Sequence, residues 1–397
     1  MADGNSGEDG ARVSAFPLLL VLRMLGAVTV MVTLMASLHF YLGHRLIDGL
    51  QLGAVPAHLA WIGLWTLFAS MPVAFASRML PKQAARVLQW LGYLWMGSFG
   101  VLLAATAMSD LIRVGLSLFI APAADWYRIQ ALTVLSLSGV ALVWGFIVAR
   151  GTPSIERVTV KVPGLHPELD GYKIAQISDI HIGDTVGRSF MERIVEQVNK
   201  LGADLVAVTG DLVDGSVRKL QHDVAPLGEL KGKHGVYFVT GNHEYYSGAD
   251  DWGSEVRRLG LTVLHNEHRV VEKGAAKLVV AGVPDLEGAR FHESHKPDAS
   301  KAFAGAPADA TRILLAHQPR FARHAQGHDV KLMLSGHTHG GQIFPFMAFV
   351  RLQQPVVAGL KELWGVLVYT SKGTGYWGPP FRVGPRSEVT EITLRPA

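Results

Sequence analysis

The chain has 397 residues, no cysteine and a formal net charge of +4, and 49% of its residues are hydrophobic. This length allows two or more domains. Because cysteine is absent, disulfide scaffolds and thiolate metal sites are excluded, and any metal must be held by oxygen or imidazole nitrogen. The small positive charge is not gathered into a basic stripe, so we expect no nucleic-acid partner.

The first 150 residues are much more apolar than the remainder. Four stretches each have roughly the 20 residues that cross a bilayer as a helix. A cleavable signal peptide is the alternative for the first stretch, but acidic Asp3, Glu8 and Asp9 and the stretches that follow favour a span. We predict a four-helix transmembrane domain over residues 1–150. The predicted spans are residues 24–43, 57–76, 87–108 and 130–149.

Basic residues are distributed unevenly between the two sides of these spans. One side, which also holds residues 151–397, has seven of them and the other side has three. Positive residues are in excess on the cytoplasmic side of membrane proteins. We therefore predict a multi-pass protein of the inner or plasma membrane with its C-terminal region in the cytoplasm. The seven are Arg12, Arg23, Arg78, Lys82, Arg86, Arg150 and Arg157, and the three are Arg45, Arg113 and Arg128.

A transport pathway is the alternative to a simple membrane anchor. Such pathways usually need ionisable groups inside the membrane. Within the predicted spans the ionisable residues are His39 and His58, both close to span ends. This pattern favours an anchor that also holds the C-terminal region near lipid.

Residues 151–397 have the pattern of an α/β domain. Alternating apolar residues predict strands over 156–162 and 388–394, and apolar residues at helical spacing predict a helix over 189–201. Short apolar runs between turns predict the remaining strands. These are residues 172–178, 205–209, 236–240, 277–283, 312–316, 331–334 and 366–370.

Five polar motifs each begin just past one of these apolar runs. In open α/β sheets, ligand sites lie outside the carboxyl ends of the strands. Two sheets packed face to face, with helices outside, would gather all five motifs at one edge, so we predict an αββα sandwich. The motifs are Ser178-Asp179-Ile180-His181, Gly210-Asp211, Gly241-Asn242-His243-Glu244, Ala316-His317 and Gly336-His337-Thr338-His339-Gly340-Gly341.

The motifs supply seven candidate metal ligands. Oxygen and imidazole ligands suit hard to borderline divalent ions. One carboxylate can touch two ions, and Asp211 is the natural bridge of a two-metal site that activates water for attack on phosphorus. Asp179 and His181 project to the same side if the strand geometry persists. The seven are Asp179, His181, Asp211, Asn242, His317, His337 and His339.

Three further residues of these motifs have other expected roles. His243 directly follows a ligand, so its ring is free to contact phosphate or to protonate the leaving oxygen. Asp214 and Glu244 are expected to orient the ligands or the turns and not to bind metal themselves.

Taken together, the five motifs resemble the calcineurin-like metallophosphoesterase superfamily, whose pattern of D-x-H, GD-x-x-D, GNH-E/D, H and GH-x-H is present here in order. The resemblance covers about residues 173–394. It implies the αββα fold and a binuclear centre, commonly of manganese, with iron or zinc as alternatives. It assigns one metal to Asp179, His181, Asp211 and His339. It assigns the second to Asp211, Asn242, His317 and His337, with His243 acting at the leaving group.

A closer resemblance is carried by Gln342-Ile343 after the last motif and by Ser371-Lys372-Gly373-Thr374-Gly375. These residues are similar to the membrane-attached subfamily that includes the transmembrane protein with metallophosphoesterase domain. That subfamily also includes bacterial enzymes proposed to cleave UDP-2,3-diacylglucosamine during lipid A synthesis. Many of its members have a short anchor, some with a twin-arginine export signal. This chain has four predicted spans and no twin arginine near its N-terminus, so export is not implied.

Two other features bear on the substrate. Lys372 and Arg382 flank a glycine-rich stretch and are candidates to bind substrate phosphate, although solvated charges explain them equally well. Residues 342–352 are largely apolar. Core or lid packing explains this segment, and a wall that accepts acyl chains or meets the bilayer is the alternative.

The sequence therefore predicts a membrane-bound, two-metal phosphoesterase or pyrophosphatase that acts on a phosphorylated lipid, with UDP-2,3-diacylglucosamine as the specific candidate. A phosphodiesterase for soluble nucleotides is the alternative within the enzymes. A catalytically silent, metal-dependent membrane sensor or scaffold is the alternative from another class. The sequence leaves the oligomeric state open.

Overall fold

A computed structural model describes residues 16–77, 80–121 and 123–397. Five residues used in the sequence arguments lie outside this described part of the chain. They are Asp3, Glu8, Asp9, Arg12 and Arg78.

Four long apolar helices form the N-terminal part. Each is long and apolar enough to cross a membrane, so the prediction of four spans is confirmed at the level of length and composition. Each helix extends beyond its predicted stretch. Much of their apolar surface faces outward, with Val30 and Val140 about 70% exposed, as a hydrocarbon environment requires. The helices are α1 (Phe16–Gly43), α2 (Ala54–Ala76), α3 (Lys82–Ser117) and α4 (Trp126–Arg150).

The helical bundle contains more ionisable groups than the sequence predicted. Helix α3 continues past the predicted end of the third span and includes Asp110. The Asp110 carboxylate accepts a hydrogen bond from Tyr41 at 2.8 Å and pairs with Arg45 at 2.9 Å. The prediction that His39 and His58 are the ionisable residues of the spans was therefore too narrow, because the helix is longer than its most apolar stretch.

The rest of the chain forms two six-stranded sheets. In the first sheet the strand order is β1-β12-β2-β3-β4-β5, with β2 to β5 parallel to one another. The order of the second is β10-β11-β9-β8-β7-β6, and β11, β9, β8 and β7 are parallel. The strands are β1 (Ser154–Val162), β2 (Lys173–Ile177), β3 (Leu205–Val208), β4 (Val236–Phe238), β5 (Thr262–Val263), β6 (Glu267–Lys273), β7 (Ala276–Gly282), β8 (Thr311–Leu315), β9 (Leu332–Ser335), β10 (Gly359–Leu363), β11 (Val366–Thr370) and β12 (Glu388–Pro396).

Helices cover the outer face of each sheet. One core lies between the two sheets and includes Ile174, Leu278 and Ile313. A second core lies between the first sheet and its helices, and a third covers the second sheet. This arrangement confirms the predicted αββα sandwich. The helices are α5 (Arg188–Lys200), α6 (Val217–Val224), α7 (Asn242–Ser247), α8 (Ala249–Arg258), α9 (Ala299–Ala302) and α10 (Met347–Gln353).

The sandwich packs directly against the helical bundle. Helix α4 ends at Arg150 and β1 begins at Ser154, and the predicted domain boundary between residues 150 and 151 stays a prediction. The amide of Gln89 on α3 donates to Asp184 at 2.9 Å. The backbone N–H of Arg382 donates to the carbonyl of Gly145 on α4 at 2.9 Å. The edge of the sandwich that holds the polar motifs is therefore the edge that meets the membrane helices.

Candidate metal centre

The five motifs meet at one edge of the sandwich. They follow the ends of β2, β3 and β4 in the first sheet and of β8 and β9 in the second. Because these strands are parallel within each sheet, their carboxyl ends bring the motifs together, as the sequence predicted.

A first group of possible ligands consists of Asp179, His181 and His339. Nε2 of His181 lies 3.0 Å from Nε2 of His339, and the latter lies 3.6 Å from Oδ1 of Asp179. All three residues are at most 8% exposed. Two imidazole nitrogens and a carboxylate that converge at such distances surround a volume suited to one divalent ion.

A second group consists of Asp211, His317 and His337. Nε2 of His317 lies 3.1 Å from Oδ2 of Asp211 and 3.2 Å from Nδ1 of His337. Nδ1 of His317 lies 2.7 Å from the carbonyl oxygen of Thr209, and this contact fixes the ring with Nε2 toward the group. The same Oδ2 of Asp211 lies 3.8 Å from Nε2 of His181, so Asp211 stands between the two groups.

Asn242 provides an independent test of whether these residues fit metal. Its side-chain Oδ1 is buried and has no hydrogen-bond partner among the described residues. A buried amide oxygen without a partner is costly, and such groups need an explanation. A divalent ion beside Asp211 would satisfy it, because a neutral carbonyl oxygen is a ligand for such ions. The donor set therefore fits a metal pair.

The backbone of the ligand residues is strained in a consistent way. Asp179, His181, Asp211, His337 and His339 all have φ between 51° and 71°. Positive φ is uncommon for residues other than glycine, and it persists only where the surrounding structure enforces it. The strand geometry that would place Asp179 and His181 on the same side does not persist, since β2 ends at Ile177. The two side chains converge through left-handed turns instead.

Two glycines admit the ligand side chains. A Cβ on Gly241 would overlap the carboxylate of Asp211, and a Cβ on Gly336 would overlap the carboxylate of Asp179. At these two positions the absence of a side chain is a steric requirement of the site.

Burial and neighbouring charge set the protonation of the ligands. Burial and the charge of His317 lower the pKa of His337 to about 3. Burial and the charge of His181 lower the pKa of His339 well below its usual range. These two rings are therefore neutral at physiological pH, which is the form that binds metal. For His317, burial lowers the pKa, but the charge of Asp211 outweighs it and raises the pKa well above its usual range.

His243 lies at the rim of the centre. Its ring meets the ring of His181 edge to face, with centroids 4.6 Å apart. Nδ1 of His243 lies 2.5 Å from Oδ1 of Asp214. Burial lowers the pKa of His243, but the charge of Asp211 and the hydrogen bond to Asp214 outweigh it and raise the pKa to about 9. The raised pKa favours the protonated ring at neutral pH, with Nδ1 bonded to Asp214.

Asp214 and Glu244 hold the site from outside, as the sequence predicted for them. Oδ1 of Asp214 also lies 3.2 Å from Nδ1 of His181. Glu244 accepts hydrogen bonds from the backbone N–H groups of Asp211, Leu212 and Gly241 at 2.6 to 3.0 Å. Burial and the charge of Asp211 raise the pKa of Glu244 to about 7.

Lys372 and Arg382 are both engaged within the protein. Nζ of Lys372 pairs with Glu388 at 2.9 Å and with Glu156 at 3.2 Å. Arg382 is 1% exposed, and its guanidinium donates to the backbone carbonyls of residues 339, 372, 373 and 375. Substrate binding by these two residues stays a prediction, and their contacts fit a structural role better.

Two aromatic residues beside His243 were not identified from the sequence. The rings of Tyr246 and Trp377 lie 5.3 Å and 5.6 Å from the His243 ring, centroid to centroid. They are 58% and 43% exposed. Trp377 lies in the glycine-rich stretch between Lys372 and Arg382, and this position was the sign in the sequence that it could border the site.

Comparison with known proteins agrees with this geometry. Residues 172–341 match the family model described as calcineurin-like phosphoesterase. An uncharacterised metallophosphoesterase of Aquifex aeolicus is 34% identical over 244 residues, which are 61% of this chain and 91% of that protein. The chain belongs to the calcineurin-like phosphoesterase family.

Two vertebrate relatives are described as transmembrane protein with metallophosphoesterase domain. The protein of Danio rerio is 40% identical over 276 residues, and that of Bos taurus is 41% identical over 278 residues. These matches cover 68% and 67% of this chain, and the chain spans 63% and 62% of the length of those relatives. A solved structure of Haemophilus influenzae NAD nucleotidase aligns with a TM-score of 0.36 and 16% identity, over 51% of this chain and 50% of that one.

Family membership confirms the predicted family resemblance and fold class. The family binds two divalent metals, which agrees with the first and second ligand groups and with a third group of His181, Asp211 and His243 that overlaps both. The four candidate spans make the chain a membrane protein.

Proposed function

We propose that this protein is a membrane-bound phosphoesterase or pyrophosphatase that holds two divalent metal ions, with manganese as the first choice and iron or zinc as alternatives. The observation that carries the proposal is the set of candidate ligands gathered around Asp211, with the ring of His243 beside that of His181 at their rim. When bound, a metal pair supplies a hydroxide nucleophile and neutralises charge on the phosphoryl oxygens.

In this proposal each ligand has one place. Asp179, His181 and His339 would hold the first ion and Asn242, His317 and His337 would hold the second, with Asp211 as a ligand to both. Glu244 keeps the Asp211 turn in position through its three backbone contacts. The ligands are fixed before substrate arrives, and this preorganisation is a main source of catalysis at charged centres.

His243 is the proposed general acid. Asp214 holds Nδ1, so Nε2 carries the proton that faces the substrate. As the oxygen of the attacking water bonds to phosphorus, the P–O bond to the leaving group breaks, and transfer of this proton to the leaving oxygen avoids release of an unprotonated alkoxide or phosphate. The pKa of about 9 keeps the ring in the acid form at neutral pH.

A phosphorylated or nucleotide-linked lipid is the proposed substrate, and UDP-2,3-diacylglucosamine is its specific candidate. The support is the position of the metal-bearing edge against α3 and α4, since a soluble substrate requires no such contact. The excess of basic residues on that side supports a cytoplasmic site. A soluble-nucleotide phosphodiesterase and a silent membrane sensor are the competing functions.

Turnover by the full chain in detergent with manganese separates these functions. UDP-2,3-diacylglucosamine, a phosphatidate monoester and a chromogenic soluble diester are compared, with Asp211→Asn and His243→Ala as inactive controls. We expect the lipid-linked compounds to be preferred. Preference for nucleotides would favour the soluble-substrate alternative, and a protein that binds two ions but turns over none of the compounds would favour the sensor.

A further inference from the structure

The segment that follows the metal loop packs on the membrane helices. The ring of Phe346 lies against Gly100 of α3, where it would be 2.9 Å from a Cβ. Ile343 joins Val101 of α3 and Phe381 in a buried apolar cluster. Phe381 in turn lies against Gly97. Small residues on α3 therefore admit aromatic side chains of the catalytic sandwich into the surface of the bundle.

The depth of these contacts can be measured along α3. Gly92 of α3 packs against Ser70 and Ala74, close to the end of α2 at Ala76. Gly97 and Gly100 lie five and eight residues further along α3, about 8 Å and 12 Å at 1.5 Å per residue. Trp95 and Leu102 of α3 line one apolar cavity with Ala60 and Leu67 of α2, so the candidate span α2 covers this depth. A bilayer with a hydrocarbon core of about 30 Å around α2 therefore includes the level of Phe346.

At this depth the segment exposes large apolar side chains. Phe344 is 57% exposed, Phe349 is 61% exposed and Leu352 is 81% exposed. Helix α10 buries none of its own residues, although most of them are apolar. Its Arg351 stands in the last turn, where a long stem lets the charge reach the lipid headgroups.

We infer that residues 344–353, the immersed segment, lie within the bilayer leaflet next to the catalytic sandwich and contact lipid acyl chains. Acyl chains are the occupant because the exposed face continues the outward face of α3 at the depth of a membrane span. The catalytic domain thus has a membrane contact of its own, in addition to the covalent link through α4.

The immersed segment is joined directly to the centre. Met347 packs on Gly341, two residues after His339. The amide of Gln342 donates to the carbonyl of Trp377 and accepts from its N–H, both at 3.0 Å. Trp377 borders His243 and is the residue type favoured at membrane interfaces. Resting on the proposed function, we infer that a lipid keeps its chains along the immersed segment while its phosphate reaches the metals.

The depth of spin labels attached to the immersed segment tests whether the segment lies in the bilayer, and this measurement needs no enzymatic activity. The chain has no native cysteine, so Phe349→Cys and Leu352→Cys each accept a single nitroxide label in the full protein. Trp364→Cys is the matched control, because Trp364 is 45% exposed at the opposite end of β11 from the site. In lipid nanodiscs we expect labels at 349 and 352 to collide with oxygen and to be shielded at least fivefold from a water-soluble nickel complex, relative to 364. Nickel accessibility equal to that of 364 would overturn the inference.

A second experiment tests lipid delivery, that is, whether the immersed segment guides the phosphate of a lipid to the metal centre. Phe349→Ser/Leu352→Ser changes exposed side chains outside the metal centre. We expect hydrolysis of a phospholipid monoester in vesicles to fall about tenfold, while hydrolysis of a soluble diester is retained. Equal loss on both substrates would refute lipid delivery. Absence of all turnover by the wild-type protein would refute the proposed function together with delivery, and the label depths would still decide the immersion.

Discussion

The guanidinium of Arg382 donates a hydrogen bond to the carbonyl oxygen of His339 at 3.0 Å, and its Nη2 lies 3.4 Å from Nδ1 of the same residue. Burial lowers the pKa of Arg382 to about 10, so the group remains charged at physiological pH. The strained turn at His339 is thus held by a buried cation, and the backbone N–H of Arg382 donates a hydrogen bond to Gly145 of α4. Arg382 therefore contacts both a candidate metal ligand and a candidate membrane helix.

Replacing Arg382 by lysine should therefore loosen the first metal position. Lysine keeps the charge but lacks the planar fork that reaches several carbonyls at once. We expect a 10- to 100-fold loss of metal affinity or activity, the usual effect of removing a group that orients a ligand. Metal content by mass spectrometry and diester hydrolysis measure it. Arg395→Lys, at an exposed pair with Asp170, is the control, and a variant that keeps both metals and full turnover would disprove the role.

Asp214→Asn should reduce catalysis more than metal content. The carboxylate contacts both His181 and His243, and the negative charge supports the protonated form of His243. Asparagine retains an acceptor but removes that charge, so we expect turnover to fall about 10- to 100-fold. The rate is compared at saturating manganese, with exposed Asp309→Asn as the control. Loss of both ions with no separate effect on turnover would contradict an acid-supporting role.

Gly241→Ala should abolish the centre by steric overlap alone. The backbone of Gly241 is extended at φ −95°, so alanine is conformationally acceptable there, but its Cβ would displace the Asp211 carboxylate. Gly187 is also extended and precedes a helix, and its Cβ would meet Asp223 at an ordinary 3.9 Å. We expect Gly187→Ala to bind two ions and Gly241→Ala to bind at most one, as measured by calorimetric titration with manganese. Equal binding by the two variants would show that the overlap is relieved elsewhere.

The elements that the sequence predicted are those with a continuous pattern. Strands such as β3 and β8 are buried almost throughout, so their apolar runs are unambiguous. Strands β6 and β10 were missed because they are edge strands of the second sheet with many exposed polar residues. Local patterning contains little information about a strand that is specified mainly by its neighbour.

In the candidate site too, some features could be predicted from the sequence and others depend on the tertiary fold. Residue type and spacing were sufficient to select the candidate ligands and His243, because metal chemistry limits the choice of side chain. The Asp179 turn is bonded to Gly375, and Arg382 is bonded both to His339 and to Gly145 of α4, so these features depend on segments that meet only in the folded chain. Such contacts are consequences of the tertiary fold and leave no periodic signal in the sequence.

The contact between α4 and the sandwich gives the last prediction. Gly145 faces Val383, and a Cβ there would lie 2.7 Å from the valine side chain, whereas Gly139 on the same helix has open space around it. Gly145→Leu and Gly139→Leu raise helix propensity equally, so any difference between them comes from packing. We expect Gly145→Leu to lose about 1–3 kcal/mol through overpacking. Because Arg382 is bonded to Gly145, this variant should also lose metal affinity, while Gly139→Leu should match the wild type. Thermal unfolding and manganese binding in nanodiscs measure both effects, and identical behaviour of the two variants would show that the centre is independent of the anchor.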